Sequence, residues 1–109
     1  MLTVVSPVVN LRIKRVLEHT LTALGKTGDY EISVSFVSEA EMKKLHRKYM
    51  AKLGYTEELH KVISFPTQDG PGPDGVTRLG DIVICKTFMG DLDFLLDHAC
   101  RHLLGIHHE

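Results

Sequence analysis

A cluster of histidines around one glycine near the C-terminus constrains the fold of this chain more than any other feature. His98 and His102 are four residues apart, so a helix would place both imidazoles on one face, about one turn from each other. Gly105 can end that helix with a positive φ, after which the chain turns back and brings His108 toward the same point. These three histidines would hold one divalent ion, and a zinc ion with three protein ligands keeps a fourth position for water.

Chance is the competing explanation for this pattern. A single histidine is usually a surface residue, and a pair four apart also occurs on ordinary amphipathic helices. Four of the seven histidines nevertheless fall between residues 98 and 108, so the sequence favours a metal site in the C-terminal helix and tail. Spacing alone does not choose between the adjacent His107 and His108, because only one of them can readily point at the ion.

The hydrophobic pattern predicts a single α+β domain over residues 1–109, in which helices cover a small mixed sheet in the order α-β-α-β-β-α. Ser6 and Pro7 are typical of a helix start, and an apolar stripe follows that ends at Gly25. Residues 30–37 alternate between apolar and polar side chains, which indicates a half-buried strand. The first residues, 2–5, are prone to β structure, and the sequence leaves open whether they form a strand or an ordered tail. The stripe of the first helix consists of Ile13, Val16, Leu17, Leu21 and Leu24.

A second helix is predicted to open at Ser38, which forms a capping box with Glu41. Met42, Leu45 and Tyr49 are expected on its inward side.

The opposite side of this helix is basic. Lys44, Arg47 and Lys48, together with Lys43 and Lys52, recur at three- and four-residue spacing, so most of their charges project from one surface. Such a run is usually a solvated helix face, but beside a metal site it also suits the binding of phosphate groups.

Two apolar strands are predicted in the second half, at residues 62–65 and 79–85, and we expect them to pair antiparallel across a glycine- and proline-rich loop. Asp81 is the one charge in the second of these strands. We therefore expect a buried carboxylate, with a backbone hydrogen bond or a contact that orients a ligand histidine. Asp91 is expected to cap the last helix, with Phe94 and Leu95 turned inward.

Composition is ordinary for a soluble protein, with a net charge of −1 and a pI near 6.6. Any binding of nucleic acid must therefore come from a local basic patch. We expect no membrane partner and a cytoplasmic location, since the sequence has neither an apolar run that spans a bilayer nor the pattern of a signal peptide. Cys85 and Cys100 are then expected to be free buried thiols, and we do not count Cys100 as a ligand.

Three motifs in the second half resemble the signatures of the YbeY family of metal-dependent endoribonucleases. The run HACRHLLGIHHE is similar to the family's HGxLHLxGYDH and matches its histidines at His98, His102 and His108. VISFP at residues 62–66 and LGDIVIC at residues 79–85 are similar to the family's VLSFP and LGDIVIC. The resemblance implies that His108, rather than His107, is the third ligand.

The same resemblance implies a single-strand-specific endoribonuclease that acts in the maturation of small-subunit ribosomal RNA and in ribosome quality control. It implies one Zn²⁺, or another divalent transition metal, in each chain. Single-stranded ribosomal RNA and the small ribosomal subunit would be its partners. On this interpretation Lys44, Arg47 and Lys48 become candidate RNA contacts.

The chain departs from the family pattern at several positions. Met50 stands where the family has an arginine after the tyrosine of the second helix, and His60-Lys61 stand where it has Thr-Asp. The aspartate before the last histidine is His107 here. These differences keep a second class of function open, a non-catalytic RNA- or ribosome-binding module that keeps a metal for stability.

A zinc metallopeptidase is the third class considered. The histidines and the glycine of the C-terminal stretch also fit the spacing HExxHxxGxxH. Position 99 is alanine, so the glutamate that would activate water for peptide hydrolysis is absent. The sequence therefore favours the nuclease interpretation.

Overall fold

A mixed four-stranded sheet is the centre of the fold in a computed structural model of the chain. The structure describes residues 2–6, 11–56, 59–67 and 70–106. The strands β1 and β4 run parallel to β2, while β3 runs antiparallel to β4. The predicted α+β class and the antiparallel pairing of the last two strands are confirmed, and residues 2–5 form a strand. The sheet order is β1-β2-β4-β3, with the bounds β1 (Leu2–Val5), β2 (Asp29–Val37), β3 (Val62–Pro66) and β4 (Val76–Cys85).

Two helices, α1 (Leu11–Ala23) and α3 (Leu92–Leu103), pack together on one face of this sheet. The apolar stripe predicted for the first helix is confirmed, with Ile13, Leu17 and Leu21 buried against the strands and α3. Its predicted start at Ser6-Pro7 lies partly outside the described residues. The described helices include none that is both long and apolar enough to cross a membrane.

The other face of the sheet carries the short helix α2 (Glu39–Leu45). Its predicted capping box is confirmed: the Glu41 backbone N–H donates to Ser38 Oγ at 3.2 Å, and the Ser38 N–H donates to Glu41 Oε1 at 3.4 Å. Met42 is fully buried and belongs to a small apolar cluster on this face. The other buried members of that cluster are Ile63, Val83 and Cys85.

The polypeptide continues beyond α2 in a π-helical turn (His46–Met50) and a 3-10 turn (Ala51–Leu53). A π turn holds an extra residue, so the inward positions move along the chain. His46 is therefore buried, whereas Tyr49, predicted to face inward, is exposed. The Tyr49 ring makes an edge contact with Phe65, at 5.2 Å between ring centroids.

The prediction of a buried Asp81 is wrong. Successive side chains alternate across a strand, so Gly80 and Ile82 face α1 and α3 while Asp81 faces the opposite side. The short α2 does not cover this part of the strand, and Asp81 is exposed at a cavity that Ser35 also lines. It therefore cannot orient a histidine of α3, which packs on the other face.

Helix α3 differs from its prediction at two positions. Asp91 occupies the N-cap position, but its side chain makes no capping hydrogen bond, and its carboxylate lies 3.9 Å from Lys61 Nζ. Leu95 is buried as expected, whereas Phe94 is 69% exposed. Leu92, Leu95 and Leu96 occupy the inward stripe, which leaves Phe94 on the outer side of the helix.

Gly80 lies where β3 and α3 both come close to β4. Its φ is +137°, a conformation that residues with a side chain rarely adopt. A Cβ atom built at this position would overlap the carbonyl oxygen of Phe65 and lie 3.0 Å from Leu103 Cδ2. Only glycine therefore fits at this point of the sheet.

Candidate metal centre and the adjoining pocket

His98 and His102 are neighbours on the surface of α3, as their spacing predicts. Their ring centroids are 4.3 Å apart and the ring planes meet at 43°. Leu96, Ala99 and other members of the buried stripe turn toward the core, whereas the two imidazoles are half-buried on the neighbouring flank of the helix. The predicted positive φ at Gly105 is also confirmed, at +80°.

The third predicted ligand, His108, and its rival His107 lie outside the described residues. Within residues 2–6, 11–56, 59–67 and 70–106, no three histidine, cysteine or carboxylate side chains are placed to share an ion. Cys100 is buried as a free thiol, as is Cys85, and burial raises the pKa of Cys100 to about 11. Cys100 is therefore protonated at neutral pH, as expected of a residue left out of the ligand set. Metal binding itself stays a prediction.

A polar contact fixes α3 to α1 directly beside His98. Thr20 Oγ1 donates to Asp97 Oδ1 at 2.6 Å, and Arg101 Nε donates to Asp97 Oδ2 at 3.0 Å. Partial burial opposes ionisation of Asp97, but these two hydrogen bonds outweigh it and lower the pKa of the carboxyl group. The turn of α3 that begins the histidine pair is therefore held in place by charge-assisted bonds.

Both histidines open onto a pocket of about 400 Å³ between α3, strand β3 and the segment that follows α2. One wall is the histidine pair. Val62, Ile63, Ser64 and Pro66 contribute from β3, and the opposite wall is formed by Met50, Leu53, Tyr55 and His60. Most of these side chains are apolar, so the histidines are the main polar groups of the cavity.

A second histidine pair, His46 and His60, was missed by sequence reasoning. His46 is only 5% exposed, and its Nδ1 lies 2.9 Å from Nε2 of His60, so one of the two nitrogens donates a hydrogen bond to the other. The pair is fourteen residues apart in sequence and has no local spacing that would reveal it. One signal was present, since His46 lies four residues after Met42 on the inward side of the helix, where a buried polar group requires a partner.

The basic residues Lys44, Arg47 and Lys48 are exposed, as predicted. Lys48 Nζ lies 5.1 Å from the centroid of the Tyr49 ring. None of the three lines the pocket, but Met50 and Leu53 of the same segment do. The basic residues therefore directly precede, in sequence, residues of the pocket wall. Their contact with RNA stays a prediction.

A family model described as Endoribonuclease YbeY matches residues 4–109. The chain belongs to the YbeY family. Three relatives, each named Endoribonuclease YbeY, illustrate the match. The relative from Leifsonia xyli subsp. xyli is 32% identical over 116 aligned positions, which cover 89% of this chain and 72% of the relative. That from Thermobifida fusca is 33% identical, with 89% and 71% covered. That from Thermodesulfovibrio yellowstonii is 38% identical, with 72% and 54% covered.

Membership in the YbeY family gives meaning to two of the departures noted in the sequence. Met50 and His60, two of the positions at which the sequence departs from the family motifs, both line the pocket next to the histidine pair. The wall that faces α3 therefore carries a thioether and an imidazole at these two positions.

Proposed function

We propose that this protein is a metal-dependent endoribonuclease that cleaves single-stranded RNA. The observation that carries the proposal is the adjacent imidazoles of His98 and His102, which open onto one pocket in a chain of the YbeY family. His108 would complete the ligand set. Zinc is the expected ion, because it readily accepts three imidazole nitrogens.

The donor chemistry fits such an ion. Two neutral imidazoles within one helical turn suit a divalent transition metal, whereas calcium and magnesium prefer oxygen ligands. When bound, the ion would activate water near neutral pH and offset negative charge on a phosphoryl oxygen.

The residues around the pocket would position the substrate. Asp97, held by Thr20 and Arg101, fixes the helical turn beside the histidine pair. His60 reaches the pocket from the opposite wall, where its hydrogen bond to buried His46 restricts the ring, and it would donate to or accept from the RNA at the open edge of the cavity. Lys44, Arg47 and Lys48 would attract the phosphate backbone toward this opening.

The substrate proposed for the cell is single-stranded ribosomal RNA of the small subunit. The YbeY-like motifs support this assignment. They also support a role in ribosome quality control in the cytoplasm, with the small ribosomal subunit as partner. The chain spans only 54 to 72% of the relatives named above, so these roles are proposed for the region in hand.

A non-catalytic RNA-binding module is the second candidate function. Met50 in the pocket wall favours it, because an arginine at this position would grip a phosphate with two hydrogen bonds and methionine cannot. A metal-loaded, folded protein that binds RNA without cleaving it would establish this alternative.

The decisive experiment compares the wild type with His98→Ala on a single-stranded ribosomal RNA end and on a generic peptide. We expect the wild type alone to cleave RNA, with a rate that rises with pH near neutrality and is lost with a chelator. Circular dichroism would check that His98→Ala is folded. Equal RNA cleavage by both proteins would point to a contaminating nuclease, and metal-dependent cleavage of the peptide alone would transfer the assignment to the peptidase class.

A further inference from the structure

Phe94 is an exposed aromatic ring at the metal side of the pocket. It precedes His98 by one helical turn, and the two rings are stacked, with centroids 5.8 Å apart and planes at 19°. The side chain is 69% exposed, so packing in the core does not account for it. One face of Phe94 stacks on His98, which itself lines the pocket, so the ring lies next to the cavity without lining it.

Tyr55 is an exposed aromatic ring on the opposite wall. It follows the 3-10 turn Ala51–Leu53, lines the pocket, and is 56% exposed. Its edge contact is with His60, at 6.0 Å between centroids and 80° between planes. Each wall therefore pairs one exposed aromatic ring with one pocket histidine.

The apolar part of the pocket suits a nucleobase better than a phosphate. Met50, Leu53 and Val62 make it apolar, and Leu53 is itself largely exposed. The volume of about 400 Å³ lies in the range of pockets that hold small organic groups. The positive charges that would hold phosphates, on Arg47 and Lys48, lie just outside on the same segment.

We propose that Phe94 and Tyr55 are base-stacking residues, which hold two unpaired bases of single-stranded RNA at the two rims of the pocket. This inference rests on the proposed function and names how that site selects its substrate. Bases in a duplex are stacked on one another and cannot offer their faces to protein rings, whereas unpaired bases can. Stacking at both rims would therefore select single strands with little regard to sequence.

The test is the affinity for a short single-stranded RNA, measured by fluorescence anisotropy in the presence of a chelator so that cleavage does not interfere. Phe94→Ala and Tyr55→Ala should each weaken binding by about 5-fold or more, the range found when a stacking ring is removed. Phe94→Trp and Tyr55→Phe keep a flat ring and should bind like the wild type. Val5→Ala trims an exposed apolar side chain on β1, at the opposite edge of the sheet, and serves as the matched control.

An RNA with abasic positions supplies the second arm. It should bind the wild type about 5-fold or more weakly than the intact RNA, and the alanine variants should lose little further affinity for it. Alanine variants that bind intact RNA as tightly as the wild type would overturn stacking. If the wild type still cleaves RNA in that case, the nuclease function stands. Loss of metal from Phe94→Ala without loss of RNA affinity would show that the ring only positions His98. A wild type that binds no RNA, with or without added zinc, would overturn both proposals.

Discussion

The two walls of the pocket are built in different ways. Helix α3 is regular, and its buried stripe of leucines, alanine and cysteine ties the histidine pair to the larger core. The facing wall comes from a π turn, a 3-10 turn and an irregular connection, and several of its side chains, such as Leu53 and Tyr55, are exposed. The wall with the histidine pair is therefore regular and locally encoded, whereas the facing wall depends on tertiary contacts such as the one between His46 and His60.

This contrast indicates which wall depends more on the rest of the structure. A histidine pair four residues apart needs only one intact helix, so its geometry survives differences elsewhere. The opposite wall, which contains Met50 and His60, has several exposed side chains. Local opening of that wall should accordingly cost less free energy than opening of α3.

Removal of one helix ligand is the largest effect we expect. His102→Ala should abolish stoichiometric metal binding, a loss of about 100-fold or more in affinity, because even residues that merely support a ligand contribute 10- to 100-fold. Metal analysis of protein purified without a histidine tag measures this. His107→Ala is the control and should keep most of the metal. Full metal content in His102→Ala would refute metal binding by the histidine pair of α3.

A pair of leucine truncations compares the two walls directly. Leu96 is fully buried in α3, so Leu96→Ala should lower the free energy of unfolding by about 2–5 kcal/mol. Leu53 is 69% exposed in the facing wall, and Leu53→Ala should change it by only about 0.5 kcal/mol. Urea denaturation gives both values. Equal losses would mean that the facing wall is as firmly packed as the helix.

Charge reversal on the basic surface tests whether Arg47 and Lys48 attract RNA toward the facing wall of the pocket. Arg47→Glu with Lys48→Glu should weaken binding to RNAs of different sequence alike, since interactions with phosphates carry no sequence information. The slope of log affinity against log salt should also flatten by about 1 for each phosphate that the variant no longer binds. Affinity and slope that both match the wild type would leave these residues as a solvated helix face.

A small effect is expected for the polar contact that fixes α3. The pKa of Asp97 is lowered in the folded protein by the hydrogen bonds from Thr20 and Arg101, which outweigh partial burial. Its stabilising contribution is therefore present above the unfolded value of 3.8 and is lost as the pH falls through the folded value. Asp97→Asn should cost at most about 1 kcal/mol at neutral pH, since the group is partly exposed and screened. The difference from the wild type should shrink in denaturation curves recorded near pH 3, and a constant difference would contradict this account.

Sequence reasoning succeeded where the determinants are local. The stripe of α1, the capping box at Ser38 and the histidine pair of α3 each follow from residues within one or two helical turns. It failed where the outcome depends on which elements cover each other. Asp81 is exposed because α2 is short, and Phe94 is exposed because other side chains fill the inward stripe.

The facing wall of the pocket could not have been predicted for the same reason. His46 and His60 come together because of a π turn, which no sequence spacing predicts. The pocket also combines residues from separate parts of the chain. The YbeY-like motifs identified the family correctly, but they cover the metal side and the strands rather than this wall.

Gly80 lies next to both the strand and the helix that border the pocket. Phe65 of β3 and Leu103 of α3 both border the space that a side chain at Gly80 would fill. The strand beneath the pocket and the helix that carries the histidines are therefore separated at this point by backbone atoms of β4. The absence of a side chain at Gly80 therefore lets β3 and α3 approach β4 closely, and any side chain added there would push the strand and the helix apart. An engineer who wishes to admit a bulkier substrate would accordingly leave Gly80 in place and alter residues of the two walls.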